Sequence, residues 1–159
     1  MNFTLPESLC VVEACRPNLQ NGLDTGDAIC CKNLSKVWVV LQNYSGGGDT
    51  DLVIYLYEAT DVAIGTTAVI TATFPIWTNL DTATSDQFTK QDDAANYTVD
   101  TEAADNSIVI LEWDPAKFTA GYDCLYVLST GGNVANYGSA LYIGLPMYQS
   151  DNPPSIIVD

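Results

Sequence analysis

Histidine is absent from the 159 residues. With it go the Ser–His and Cys–His nucleophiles, the commonest general base and the commonest zinc ligand. Carboxylates and thiols are what remain with chemical reach. A glycosidase needs two carboxyl groups facing each other across a sugar. Glu112 with Asp114 in "LEWDP", or Glu58 with Asp61 in "EATD", supply the residue type. Twenty acidic side chains make close pairs unavoidable, however, so spacing singles out neither pair and the expectation is a non-enzymatic protein.

Five cysteines raise zinc as a second chemistry. Cys10, Cys15, Cys30 and Cys31 fall early and Cys124 stands alone. Four residues separate the first pair, and adjacent Cys30 and Cys31 point to opposite sides of a strand, so the spacing does not close a tetrahedral site. An odd count also argues against a disulfide framework, leaving buried, inert thiols as the expectation. The phosphate-cradling GxxxxGK[ST] motif and the GxGxxG fingerprint are both missing. "SGGGDTD" offers Asp49 and Asp51 as oxygen ligands for calcium, but it lacks the twelve-residue loop pattern and is expected to be a hairpin turn. No cofactor and no metal is expected.

The elements that would position these groups are strands. "KVWVVLQNY", "DLVIYLYEA", "TAVITATFPIW", "NYTVD", "SIVILEW", "YDCLYVLS" and "SALYIGLPMY" are runs of β-branched and aromatic residues, separated by turn-formers at sandwich or barrel spacing. The expected fold is all-β: one antiparallel β-sandwich domain, jelly-roll or immunoglobulin-like, over residues 36–150. An extended N-terminal arm (1–35) precedes it and a tail (151–159) follows. "PESLCVVEAC" carries a helix signal within the arm, and "TNLDTATSDQFTKQDDAA" is expected to run over the surface as a polar excursion. In the tail, two prolines stiffen the chain before Ile156, Ile157 and Val158, which either pair at an edge or dock on a neighbouring subunit.

Lys and Arg number five against the twenty acids, a formal charge of −15. That field excludes a phosphate-binding basic patch, so nucleic acid and anionic membranes are not expected partners. The start has no basic n-region or apolar core, and the longest apolar run, "VWVVL", is far short of the ~20 residues that cross a bilayer. A cytoplasmic, soluble chain is expected.

The strands share a peculiarity. In "DLVIYLYEAT", Leu52, Ile54 and Leu56 face one way while Val53, Tyr55 and Tyr57 face the other, and neither face is polar. "SIVILEW" and "VWVVL" behave likewise. A sandwich dries only its inward faces, so second faces this apolar call for cover from the N-terminal arm and long loops or from another chain. Nine tyrosines and three tryptophans suit surfaces that are part dry and part wet. Tyr55, Tyr57, Trp77, Tyr137 and Tyr142, with Ile156, Ile157 and Val158 of the tail, are the expected subunit or capsid contacts. Trp77 or Tyr137 could alternatively stack on a sugar.

The succession "KNLSKVWVVLQNYSGGG", "LYEATDVA", "PIWTNLDTATSDQFTKQDDAANYTVDT", "IVILEWDP", "GYDCLYVLSTGGNVANYGSALYI" and "PPSIIVD" resembles small structural proteins of tailed bacteriophages, encoded near the major capsid protein. The resemblance implies a head decoration, or cement, protein. Such a protein is non-enzymatic, assembles with copies of itself, often as a trimer, and binds the outer surface of the capsid. Its place is then the virion, after assembly in the bacterial cytoplasm. The bottom-up alternative is a carbohydrate-binding β-sandwich on the tail or head surface.

Overall fold

Side chains alternate between two faces along each apolar run, and the computed structural model pairs those runs into two facing sheets. It describes residues 5–20, 26–46, 50–101, 106–133, 135–148 and 155–158. Among them are eleven strands: β1 (Cys10–Gln20), β2 (Ile29–Cys30), β3 (Leu34–Tyr44), β4 (Leu52–Ala59), β5 (Thr67–Val69), β6 (Phe74–Asn79), β7 (Thr89–Ala94), β8 (Asn96–Val99), β9 (Asn106–Trp113), β10 (Cys124–Gly131) and β11 (Asn136–Pro146). The first sheet has the order β1-β11-β3-β9-β6-β7. The second has the order β2-β10-β4-β5, with β8 also pairing β4. The described pairings are antiparallel, which makes the domain an all-β antiparallel sandwich.

The core lies between the sheets. Val37, Val39 and Leu41 of β3, Leu111 and Trp113 of β9, and Phe74 and Ile76 of β6 meet Leu52, Ile54 and Leu56 of β4 and Leu125 and Val127 of β10. All are essentially inaccessible to water. Burying each such side chain stabilises the fold by about 1.5–3 kcal/mol before entropy is subtracted. Phe74 and Phe118 flank Trp113, the first edge-on at 6.3 Å between ring centroids and the second tilted at 5.5 Å.

Several local expectations are corrected. "SGGGDTD" does not close a hairpin, because β3 lies in the first sheet and β4 in the second. Only β4–β5 and β6–β7 join sequence neighbours within a sheet among the described strands. The run "TAVITATFPIW" splits: the Ile70 amide still bonds to Leu56 O at 2.9 Å, and the chain then crosses to the first sheet and resumes as β6. The polar excursion contains β7, an edge strand whose polar side chains suit its exposure. The helix signal in "PESLCVVEAC" yields one turn, Leu5–Ser8, before the chain extends into β1. Its β-branched valines win there, paired along β11. Among the described residues before 36, β1 and β2 each supply an edge strand, one to each sheet.

Candidate interaction surface

The outer face of the first sheet is built from the alternate residues of its strands. Glu13, Leu141, Val40, Ile110, Trp77 and Lys90 are successive register partners across all six strands. Beside them run Val11, Ile143, Trp38 and Glu112, and on the other side Ser139, Gln42 and Ile108. The middle of the face is thus apolar over several neighbouring strands, with strand spacing of about 4.8 Å bringing the side chains into contact. Val11 is 44% exposed and Leu141 43%, while Trp38, Val40, Ile108, Ile110, Ile143 and Trp77 are half-buried.

Charge on this face is sparse and mostly paired. Glu112 accepts from Lys36 Nζ and, at 2.9 Å, from Trp38 Nε1. The ammonium of Lys90 sits 6.0 Å from the centre of the Trp77 ring and 3.4 Å from Asp93. Within the rows just described, with Lys36 and Asp93 beside them, three acids stand against two bases, on a chain whose formal charge is −15. The acidic surplus therefore lies elsewhere. Protein interfaces in general carry little charge at their centres, because every unpaired charge they bury must shed its water.

The second sheet's outer face is closed at one end by its own chain. Tyr57 stacks on Tyr126 with centroids 5.0 Å apart. Val62 and Ile64, in the connection after β4, pack with them over Ala28, Cys30, Ala59 and Cys124. Ile64 adopts φ +60°, a conformation that β-branched residues avoid. It is held there by a bond from its amide to Asp61 O (3.1 Å), by Gly65 N–H on Asp61 Oδ1 (3.1 Å), and by the apolar contacts of its side chain. This loop is the cover that "DLVIYLYEAT" demanded for Tyr57.

The expected contact residues separate into three groups. Trp77 lies in the central row of the first sheet, and Tyr137 is 50% exposed at that face's end, its ring 6.2 Å from that of Tyr44. Tyr55 and Tyr57 are half-buried on the second sheet. Tyr142 is a correction: it points inward and is fully buried. It shares its face with Gly138, Ala140 and Gly144, small residues that leave room between the sheets, and a Cβ on Gly144 would meet Leu34 at 2.9 Å. Ile156 is likewise buried, and its carbonyl accepts Cys30 N–H at 2.7 Å, so part of the tail docks on its own β2. Ile157 and Val158 stay exposed; the two prolines lie outside the described residues.

The carboxylates proposed for glycoside chemistry are each engaged locally. Asp114 caps the turn Pro115–Lys117 by accepting Ala116 N–H, Glu58 is buried and accepts Thr119 N–H at 2.9 Å, and Asp61 holds Gly65. Asp51 is exposed; Asp49 lies outside the described residues. The thiols of Cys15, Cys30, Cys31 and Cys124 are buried and that of Cys10 partly so. Sequence reading missed Val11, Leu141 and Ile143. For Leu141 and Ile143 the signal was present in "YGSALYIGLP", where Gly138, Ala140 and Gly144 share the face opposite to theirs and leave Tyr142 as the one large side chain pointing inward.

A hollow of about 240 Å³ opens beside the Tyr44–Tyr137 pair, bordered by Gln42, Thr82, Asn106 and Ser139. Among the described residues no helix is long and apolar enough to cross a membrane. No family model matches the chain, and no curated protein matches it. Among solved structures it is similar to a chain in the structure of infectious bursal disease virus, Gt strain, at 11% identity and a TM-score of 0.19. The match covers 88% of this chain but only 38% of that one, and a likeness this slight carries no argument.

Proposed function

We propose that the chain is a non-enzymatic virion structural protein, a capsid decoration or cement protein that assembles with copies of itself and binds the outer surface of a phage head. The observation that carries this reading is the outer face of the first sheet, apolar across its central strands and sparse in charge on a strongly acidic molecule. Sister subunits bury that face in a homo-oligomer, a trimer being favoured. The exposed Ile157 and Val158 reach the major capsid protein. Repetition over the lattice then supplies tenacity that a single contact does not need. The remaining acidic surface stays in solvent, as a protein on the outside of a DNA-filled shell requires.

Light scattering on the purified chain, with co-sedimentation on empty heads assembled from the capsid protein, tests the reading. A defined oligomer that pellets with the heads is the expected outcome. A strict monomer that ignores the heads overturns it.

A second reading is favoured by the hollow beside Tyr44 and Tyr137. Two exposed rings with Gln42, Asn106 and Ser139 at their edge are the residue types that stack on and hydrogen-bond to a sugar. Binding on a glycan array that Tyr137→Ala abolishes would assign a carbohydrate-binding module instead.

A further inference from the structure

We propose that Cys30, Cys124 and the carboxylate of Asp123 form a binding site for one thiophilic divalent cation, of the zinc or cadmium type. Ninety-odd residues of sequence separate Cys30 from the other two, which is why spacing along the chain could not show it. The β2–β10 ladder makes Cys30 and Cys124 direct partners. Cys31 N–H bonds to Asp123 O at 2.8 Å, whereas Cys30 N–H turns the other way, to Ile156. Cys30 and Cys124 therefore form the non-hydrogen-bonded kind of antiparallel pair, in which facing side chains stand closest, with Cα atoms about 4.5 Å apart. The two sulfurs and an Asp123 oxygen all lie within 4.8 Å of one another. Tetrahedral zinc–thiolate bonds of about 2.3 Å place two sulfurs roughly 3.8 Å apart, so closure on an ion needs a contraction of about 1 Å at most.

The surroundings favour a cation. Asp123 turns Oδ1 toward the thiols, where Cys124 Sγ donates to it at 3.3 Å, and Lys32 Nζ holds Oδ2 at 3.3 Å. That arrangement resembles the outer partners that fix a ligating carboxylate. A divalent ion displaces the two thiol protons to solvent. Two thiolates, one carboxylate, the ion and the Lys32 ammonium then sum to zero, and no net charge is buried. Cys30 and Cys124 share one apolar cluster with Ala28, Ala59 and Tyr126, against which Val62 and Ile64 pack. The partly exposed Asp123 side chain leaves a side open through which an ion enters and a water completes four-coordination. Cys31 takes no part, its side chain lying in the core between the sheets.

Cadmium titration of the full chain, stripped with a chelator and kept reduced by a phosphine, is the test. The thiolate-to-cadmium ultraviolet band is expected to saturate at one equivalent, with zinc competing and either ion raising the melting temperature. Cys30→Ser is expected to abolish the band and Cys15→Ser to leave it unchanged. Asp123→Asn, which keeps the shape of the side chain, is expected to weaken binding about tenfold or more. Absence of the band in the unmodified protein overturns the proposal, and so does a band that survives in Cys30→Ser. If Cys30→Ser fails to fold by circular dichroism, Asp123→Asn decides, with unchanged affinity overturning the site.

Discussion

The phenol oxygen of Tyr142, on the first sheet, accepts the amide N–H of Val127, on the second, at 2.9 Å. The same hydroxyl donates to Asp27 O at 2.9 Å. Strand β2 pairs with β10 only at Ile29 and Cys30, and the Asp27 amide turns away to Ala14 O. The next rung of the ladder would have joined Val127 to Asp27. The phenol occupies that rung, bonding one sheet to the torn edge of the other. Tyr142→Phe leaves a buried N–H and a carbonyl without this partner and is expected to cost about 1–3 kcal/mol, read as a lower urea midpoint at unchanged slope.

Alkali is expected to unfold the domain early. Burial pushes the Tyr142 phenol well above its ordinary 10.0. Burial, then the neighbouring Cys30 and Asp123, push the Cys31 thiol well above 9.0. Both groups keep their protons in the folded chain while the unfolded chain loses them. Their contribution is therefore complete below pH 9 and declines as the pH rises past 9 and then 10. Each group adds up to about 1.4 kcal/mol of loss per pH unit beyond its unfolded value. Melting temperatures from pH 7 to 11 check this, and Cys31→Ala combined with Tyr142→Phe should flatten the alkaline limb.

The two faces of the first sheet should respond oppositely to substitution. Leu111→Ala empties a site between the sheets and is expected to cost about 2–5 kcal/mol. Leu141→Glu, on the outer face, should shift the melting temperature little and reduce the oligomer mass in light scattering. Equal masses for Leu141→Glu and the parent would remove that face from the assembly.

Glycine positions offer a sharper contrast. A Cβ on Gly26 would meet Ala14 O at 2.6 Å and Cys15 Sγ at 2.7 Å, so Gly26→Ala must push β1 outward at a cost of about 1–3 kcal/mol. Gly121 has φ +97° and open space around it, so Gly121→Ala pays for backbone conformation alone, about 1 kcal/mol. Thermal unfolding of both variants separates crowding from backbone strain.

Within the tail, Ile156→Ala should destabilise the domain while Ile157→Ala leaves its melting unchanged, because the first side chain is buried and the second is 55% exposed. Loss of capsid binding in Ile157→Ala, with folding intact, is the result that the decoration reading expects.

Period-two alternation placed β3, β4, β9 and most of β10 and β11 correctly, since buried β-branched runs leave a strong signal. It also exposed the doubly apolar character of those strands. Strands β1 and β7 were illegible for opposite reasons. The first mixes valine with Pro, Asn and charge, and takes its order from the neighbouring β11. The second is an edge strand with an almost wholly polar surface. The roles of Tyr142 and Cys30 depend on which strand faces which, a property of long-range pairing that no local window contains. Trp77 was singled out because a tryptophan is conspicuous in any window, whereas Leu141 and Val11 look ordinary until six strands are laid side by side.

The position of β11 between β1 and β3 has a kinetic consequence. A ribosome releases residues 136–146 after the rest of the domain's described strands, yet those residues form the seam on which β1 hangs. Until they emerge, the nascent chain holds an unzipped sheet with bare amide edges, vulnerable to clumping. Completion then waits on closure of a very long loop, a step that belongs to the slow end of single-domain folding, in the millisecond-to-second range.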